Sequence, residues 1–350
     1  MSSGKHFHNV LCLSEAKGMD IIMKNLLKSR NTGLIAVLII LLVIARFLTP
    51  GMFTATSLVS MLQNNTIYAL LAIAEMMVIL TGGIDISIAS QLAFVGISCT
   101  TLACSHPGIP GIVWVLFAIV LGALCGALNG FLVGYLHMVP MICTLGTMYI
   151  FRGLAFVVSG GQWWFAAQYE ELNGYRTFAI GQFLGLPIIL WITIILLVVA
   201  GLFLGYTSAG RRIYAIGTSR ESAAVAGIKE PKVTFYSFVI CGAVTGLAGM
   251  LYTANYAIGY YGMADGFEMT AIAICVLGGV SITGGKGRMD GVAIGALIMS
   301  VITYFISMIP GMSVWQKSLQ GGIIIVAVAI NYFTEQSAKR QALKERSALI

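Results

Sequence analysis

LIAVLIILLVIA, residues 34–45, runs for twelve positions without a charge or a turn residue. Strands of a membrane barrel alternate apolar and polar residues over about ten positions, and this run does not alternate, so it reads as a helix built to sit in hydrocarbon. Runs of the same kind recur from Gly33 almost to Phe333, and each needs about 20 residues to cross roughly 30 Å of bilayer core. Of the 350 residues 58% are hydrophobic and 9% charged, where a soluble domain carries roughly 25% charged residues. The chain is predicted to be an all-α polytopic membrane protein in contact with lipid.

Reading apolar runs between turn residues predicts about ten spans. They fall near 33–49, 57–80, 86–104, 111–134, 140–158, 186–206, 234–257, 268–282, 291–309 and 318–333. Lys and Arg gather in cytoplasmic segments close to span ends. With the N-terminus inside, the inner segments collect Lys24, Lys28 and Arg30, then Arg211, Arg212, Arg220, Lys229 and Lys232, then Lys286 and Arg288, and finally Lys339, Arg340, Lys344 and Arg346. Little beyond Arg46, Arg176 and Lys317 is left outside. An even span count with both termini in the cytoplasm follows. The net charge of +7 is then topological, and nucleic-acid binding is not expected. The chain divides into a cytoplasmic segment 1–32, a membrane domain 33–333 with a long cytoplasmic loop at 207–233, and a cytoplasmic tail 334–350. The segment before Gly33 lacks the apolar core and small-residue cleavage site of a secretory signal, and Met19 and Met23 are alternative starts.

The seven cysteines lie mostly in apolar runs without C-x-x-C spacing, and read as small packed hydrophobes rather than metal or redox groups. His6 and His8 form a solvated pair in a polar tail. The outer loop from Ser159 to Gly185 opens with GGQWW, which sets Trp163 and Trp164 where amphipathic rings favour the interface. It reads either as a solvated loop or as part of a docking rim for an external partner.

Polar residues inside apolar spans mark either interhelical glue or a pathway. The second span carries Asn64, Asn65, Tyr68 and Glu75, and at about 100° per residue Asn64, Tyr68 and Glu75 return to nearly one face. That stripe is the candidate translocation pathway, with packing between helices as the competing reading. It ends in ILTGGIDISIAS, where Gly82 and Gly83 interrupt the helix and Asp85, Ser87 and Ser90 follow. VLGGVSITGGKGR repeats the pattern near the other end of the chain, with Gly278 and Gly279 for Gly82 and Gly83, Ser281 for Asp85 and Thr283 for Ser87. Glycine-interrupted segments in corresponding halves point to a transport pathway. On this topology both breaks lie toward the cytoplasm, which suits an inner gate or structural turns. Arg152, well inside the fifth span, needs an acidic or carbonyl partner or a route to the interface.

The loop segment TSRESAAVAGI, residues 218–228, is predicted to be a water-facing helix of about eight residues, too short to persist alone. Thr218 and Glu221 have capping-box spacing, Gly227 supplies a stop, and Pro231 bars the helix from resuming. Ser222, Ala223, Ala224, Val225 and Ala226 are small enough to let its backbone enter a cleft on another protein, with Arg220 and the other basic residues gripping the rim. The competing reading packs it beneath its own bundle.

GRRIYAIGTSRESAAVAGI resembles the cytoplasmic loop of permease subunits of bacterial ATP-binding-cassette sugar importers, of the ribose, galactose, arabinose and autoinducer-2 type within the branched-chain amino-acid permease superfamily. The resemblance extends to ILTGGIDISIAS, to VPMICTLGTMYIFRGLAFVVSGG at 139–161 and to AIAICVLGGVSITGGKGRMDG at 271–291, and covers nearly the whole chain after Met23. It implies a bacterial inner-membrane permease. It also implies a coupling helix containing Thr218, Arg220, Glu221, Ala223, Ala224 and Gly227, seated in a groove of an ATPase subunit. Further implied are a second permease chain, identical or a sister, and a periplasmic substrate-binding protein. A phosphate-cradling loop needs G-x-x-x-x-G-K followed by Ser or Thr, and TGGKGR departs from that pattern, so ATP and Mg are expected on the partner ATPase and no cofactor on this chain. A permease for branched-chain amino acids or nucleosides, and a proton-driven carrier with Glu75, Asp85 and Arg152 as a relay, remain alternatives. A membrane enzyme lacks a nucleophile, base and metal set.

Overall fold

The computed structural model describes residues 30–319 apart from Asn173, together with Gly321, Gly322, Ile325 and Ala329. The predicted tenth span at 318–333 lies mostly outside the described residues. The tail after it, nearly all of the N-terminal segment and the two alternative starts lie outside entirely.

The chain folds as a helical bundle. In order come α1 (Arg30–Leu48), α2 (Ala55–Ile79), α3 (Ile88–Ser105), α4 (Gly111–Gly134), α5 (Pro140–Ser159), the short α6 (Ala166–Glu170) and α7 (Thr177–Ile180), then α8 (Ile188–Tyr206), α9 (Ser208–Thr218), α10 (Arg220–Val225), α11 (Glu230–Tyr256), α12 (Phe267–Leu277) and α13 (Met289–Met308). A two-residue antiparallel hairpin, β1 (Gln182–Phe183) with β2 (Leu186–Pro187), is the strand content of the described residues. Seven helices (α2, α3, α4, α5, α8, α11 and α13) are long and apolar enough to cross a membrane. The apolar stretch Gly33–Leu48 of α1 and the eleven residues of α12 fall short of that length. α12 was expected to run to residue 282 but stops at Leu277, because a glycine turn takes over there.

α2, α3 and α11 form the centre, with Leu70, Leu71, Leu92, Phe238 and Leu251 fully buried. In α4, α5 and α8 only about a third or less of the apolar stretch is buried, so their remaining faces are left for lipid. α11 packs most extensively on α4, and the cause is a run of small residues. Ala118, Gly122, Gly126, Gly130 and Gly134 recur every fourth position on one face of α4. A methyl group added at Gly126 would collide with the Phe238 carbonyl and lie 3.0 Å from Gly242 Cα, while one at Gly246 would lie 2.8 Å from Gly122 Cα. Small residues at this spacing let helix backbones touch, which in lipid replaces the hydrophobic drive available in water.

The bundle has two distinct ends. At one, the segment 159–187 is a folded cap rather than a solvated loop. Tyr169 and Tyr175 are buried and their hydroxyls meet Thr100 Oγ1 at 3.0 and 3.5 Å, with Tyr175 also 2.8 Å from Thr253 Oγ1. Trp163 stacks on Tyr260 with ring centres 4.4 Å apart, and Trp164 exchanges backbone hydrogen bonds with Gly259 at 2.8 and 3.0 Å. Of the acidic partner, carbonyl partner or route to the interface that its position left open, Arg152 takes carbonyls, donating from Nη1 to Tyr261 O at 2.9 Å and Met263 O at 2.8 Å. The opposite end carries both glycine breaks, α9 and α10.

Candidate functional site

The two glycine breaks close their helices in the same way. At the end of α2, Gly82 has φ +82° and its N–H donates to Ile79 O, while Gly83 N–H reaches back to Val78 O. At the end of α12, Gly279 has φ +77°, its N–H donates to Val276 O, and Val280 N–H reaches Cys275 O. Both are left-handed helix terminations that only glycine adopts without strain. The equivalence of the glycines is therefore Gly82 with Gly279, one residue away from the register in which Gly278 and Gly279 answer Gly82 and Gly83. The reason is packing: Gly278 lies against α13, where a methyl group on it would sit 2.6 Å from the Gly291 carbonyl carbon. The polar residues after each break bond one another in both segments, Ser87 Oγ donating to Asp85 at 2.5 Å and Ser281 Oγ lying 2.8 Å from Thr283 Oγ1, but with Gly82 set against Gly279 the two pairs are offset by one position.

The breaks also touch each other. Gly285 N–H donates to Leu80 O at 3.0 Å, and a methyl group on Gly284 would come within 2.8 Å of Gly82 N. Gly217, in the last turn of α9, completes the contact, since any side chain there would run into Leu80 O and Gly285 N. Tyr214, one turn earlier, donates its hydroxyl to Gly287 O at 2.9 Å. Burial pushes this phenol above its ordinary pKa and Arg288 pulls it back, so it stays a proton donor. A second tie runs through α5, where Thr144 Oγ1 accepts from Ile86 N at 3.1 Å and donates to Ile84 O at 3.3 Å.

α9 leads directly into α10. The predicted eight-residue helix is six residues long, and its cap is Ser219, whose Oγ accepts from Ser222 N at 3.2 Å. The Thr218/Glu221 capping box does not form. Thr218 still belongs to α9, with its hydroxyl turned back to Tyr214 O at 2.8 Å, so the next residue with extended backbone takes the role. Gly227 ends the helix as expected, with φ +75°. Pro231 does not bar a helix but sits in the first turn of α11, where its missing N–H has no intrahelical partner to lose. Ala223 is buried against its own bundle, whereas Glu221, Ala224, Val225, Ala226 and Gly227 are exposed, Val225 by 92%. Arg220 pairs with Glu230 at 3.0 Å, and both line a cavity of about 60 Å³ shared with Gly83 and Thr81.

The stripe on α2 does not stay together. Asn64 is exposed, and its carbonyl accepts from Tyr256 OH at 2.7 Å. Asn65 is buried and bonds Thr303 Oγ1 at 2.6 Å and Met61 O at 2.8 Å, which is glue to α13. Tyr68 packs on Phe267, ring centres 4.3 Å apart, and faces a cavity of about 610 Å³ also lined by Asp265, Thr270, Gln316 and Lys317. Glu75 is fully buried and its Oε1 accepts from Asp85 N at 3.0 Å, so it holds the first break. Gln91 and Asn129, which the reading of the sequence passed over, complete that cluster by donating to Asp85 at 3.1 and 3.2 Å. Asn129, a carboxamide in the otherwise apolar stretch ALNGFLVG, is the signal that would have revealed it.

Compared with known proteins, residues 57–328 match the family described as "Branched-chain amino acid transport system / permease component". The ribose import permease protein RbsC of Escherichia coli (strain K12) is 34% identical over 296 residues, 84% of this chain and 91% of that one. The L-arabinose ABC transporter permease protein AraH of Azospirillum brasilense is 31% identical over 317 residues, 90% of each chain. The D-allose transport system permease protein AlsC of Escherichia coli (strain K12) is 31% identical over 300 residues, 85% of this chain and 90% of that one. No solved structure gives a significant match. With the family pattern covering most of the chain and relatives matching nearly end to end, this polytopic helical membrane protein belongs to the branched-chain amino acid transport system permease family.

Proposed function

We propose that this chain is the transmembrane subunit of an ATP-binding-cassette importer and forms half of the pathway for a sugar or sugar-like solute. The observation that carries the reading is that relatives named for ribose, L-arabinose and D-allose import match over 84–90% of this chain. That favours a sugar over a branched-chain amino acid, despite the family's general description, and it favours a subunit over a self-sufficient carrier.

In this reading ten spans place both termini in the cytoplasm, with α9, α10 and the two glycine breaks on the cytoplasmic side of the bacterial inner membrane and the 159–187 cap outside. Ala224, Val225 and Gly227 offer a small-residue surface to a separate ATPase subunit, which holds ATP and Mg. Arg220 and Glu221 border it, and Ala223 anchors it from below. Motion of α10 passes through Gly217 to both breaks at once, because the three backbones already touch. Tyr68 and the cavity beside α12 form one wall of the solute path, closed by a second permease chain, and a substrate-binding protein delivers solute at the capped end.

The test is to reconstitute the chain with its ATPase and binding protein and to screen a panel of sugars and branched-chain amino acids for stimulated ATP hydrolysis. Stimulation by a sugar supports the reading. Stimulation by amino acids alone, or accumulation of solute by vesicles holding only this polypeptide, overturns it.

A further inference from the structure

The hairpin at the end of the cap carries a residue that its turn disfavours. Leu184 and Gly185 form the two-residue loop between β1 and β2, with φ +50° and +78°. Two-residue loops with both φ values positive are the ones in which Asn-Gly and Asp-Gly prevail, because a short polar side chain tolerates the left-handed conformation. Leucine does not share that tolerance. Leu184 is nonetheless 76% exposed, next to Phe183 at 58%. One exposed leucine is ordinary on any protein surface. An exposed leucine held in a left-handed turn beside an exposed phenylalanine asks for a neighbour other than water. The surrounding sequence agrees: no charged residue occurs between Arg176 and Arg211, and Gln182 is the one polar side chain from Gly181 to Leu190.

The place of the tip identifies the neighbour. Trp191, in the first turn of α8, donates from Nε1 to Phe183 O at 2.9 Å, and the two rings meet edge to face with centres 6.1 Å apart. Ile188 N–H donates to Gly181 O at 2.7 Å. The hairpin is thus folded back alongside α8 rather than raised away from it. At about 100° per residue Trp191 shares a face with Ile195, Val198 and Leu202, each more than half exposed. That face belongs to a helix of membrane-crossing length with only 28% of its apolar stretch buried, so it meets lipid. The 19 residues of α8 reach about 28 Å at 1.5 Å per residue, nearly the whole of a hydrocarbon core of roughly 30 Å. Trp191 therefore stands at the boundary where indole rings gather. Phe183 rests against it, and Leu184 follows.

We propose that the tip of this hairpin, Phe183 and Leu184, inserts into the boundary between headgroups and acyl chains of the leaflet on the capped side and anchors the cap to the bilayer. The cap is then held at two places, by the bridge between Trp164 and Gly259 on the bundle and by the hairpin in phospholipid. Segment 159–187 becomes a platform whose height over the membrane is set by the lipid. The inference rests on α8 crossing the bilayer and not on what the chain transports.

The test puts a spin label on a single cysteine at Leu184 of the full-length chain, its native cysteines replaced, in vesicles of phosphatidylethanolamine and phosphatidylglycerol. Collisions of the label with molecular oxygen, which partitions into lipid, are compared with collisions with a water-soluble nickel chelate. A label at Glu171, an exposed acidic residue of the same cap, is the aqueous reference. The ratio of oxygen to nickel accessibility is expected to be about tenfold higher at Leu184 than at Glu171. Equal ratios put the tip in water and overturn the proposal. A label at Leu184 shielded from both reagents puts the tip against protein and overturns it as well. Leu184→Asn, in the chain with its native cysteines, decides separately and covers a failure of the cysteine-free chain to fold. Asparagine suits the turn better than leucine, so for a tip in water hydrogen exchange of the amides of residues 182–186 slows. For a tip in lipid the substitution removes the anchor, and exchange in the same vesicles is expected to speed up roughly threefold. Slower or unchanged exchange overturns the proposal. Neither readout needs an ATPase, a binding protein or a sugar, so failure here leaves the importer reading untouched.

Discussion

The amide of Gly285 donates to the carbonyl of Leu80 at 3.0 Å, joining two helix breaks that lie more than half the chain apart. Gly217 of α9 sits on that bond. The helix that leads into the element expected to meet the ATPase is thus in backbone contact with both breaks, with no side chain between them to absorb movement.

Gly217→Ala places a methyl group against Leu80 O and Gly285 N. Overpacking of this kind costs about 1–3 kcal/mol, and here it separates α9 from the breaks. Sugar-stimulated ATP hydrolysis is expected to fall roughly tenfold, about what 1.4 kcal/mol of lost coupling gives, with membrane insertion preserved. Gly205→Ala, at a position with open space in α8, is the control and should change little.

Ser219→Ala removes the side-chain cap of α10 and is expected to destabilise it locally by about 1 kcal/mol. Hydrogen exchange of the amides of residues 220–226 should speed up. Thr218→Ala, which loses a bond to Tyr214 O but no cap, should leave those amides nearly unchanged.

A single cysteine at Val225, in a chain whose native cysteines have been replaced, should react fast with a membrane-impermeant thiol reagent applied to inside-out vesicles. The ATPase subunit should slow that reaction at least tenfold, as burial of a reactive thiol in an interface does. A cysteine at Ala223 should react slowly with or without the ATPase.

Arg152→Met leaves the carbonyls of Tyr261 and Met263 without their shared donor. The Met263 carbonyl is the more buried of the two, and an unmet buried acceptor costs about 1–3 kcal/mol, so the melting temperature should drop, and Arg152→Lys should recover only part of it, because the ammonium sits on a stem one bond shorter than the one that carries Nη1.

The membrane class and seven of the ten predicted spans were legible because apolar run length is a strong local signal, and the depth of Arg152 showed that it needs a partner or a route to the interface, though not that the partner is a carbonyl. What escaped depended on distance in sequence. Nothing local to TSRES distinguishes Thr218 from Ser219 as the cap. The choice was made by where α9 ends, which its contact with Gly285 fixes. The glycine register slipped by one because Gly278 packs on Gly291, a tertiary demand with no local mark. The Asn64–Glu75 stripe reads correctly as helical, yet its members face different surroundings: the bundle surface for Asn64, the α12 cavity for Tyr68 and the closed interior for Glu75. Ala118, Gly122, Gly126, Gly130 and Gly134 lay open in the sequence as a fourfold spacing and went unread.

That row of small residues on α4 has a consequence for traffic. Where it meets Gly242 and Gly246 of α11 there is no room for one added methyl group, so neither an acyl chain nor a sugar ring can slip between these two helices. The seam is a watertight wall. In the proposed importer this leaves the other flank for solute, where Tyr68 of α2 and Phe267 of α12 border the cavity of about 610 Å³, and it is there that a lateral leak into the bilayer would have to be prevented.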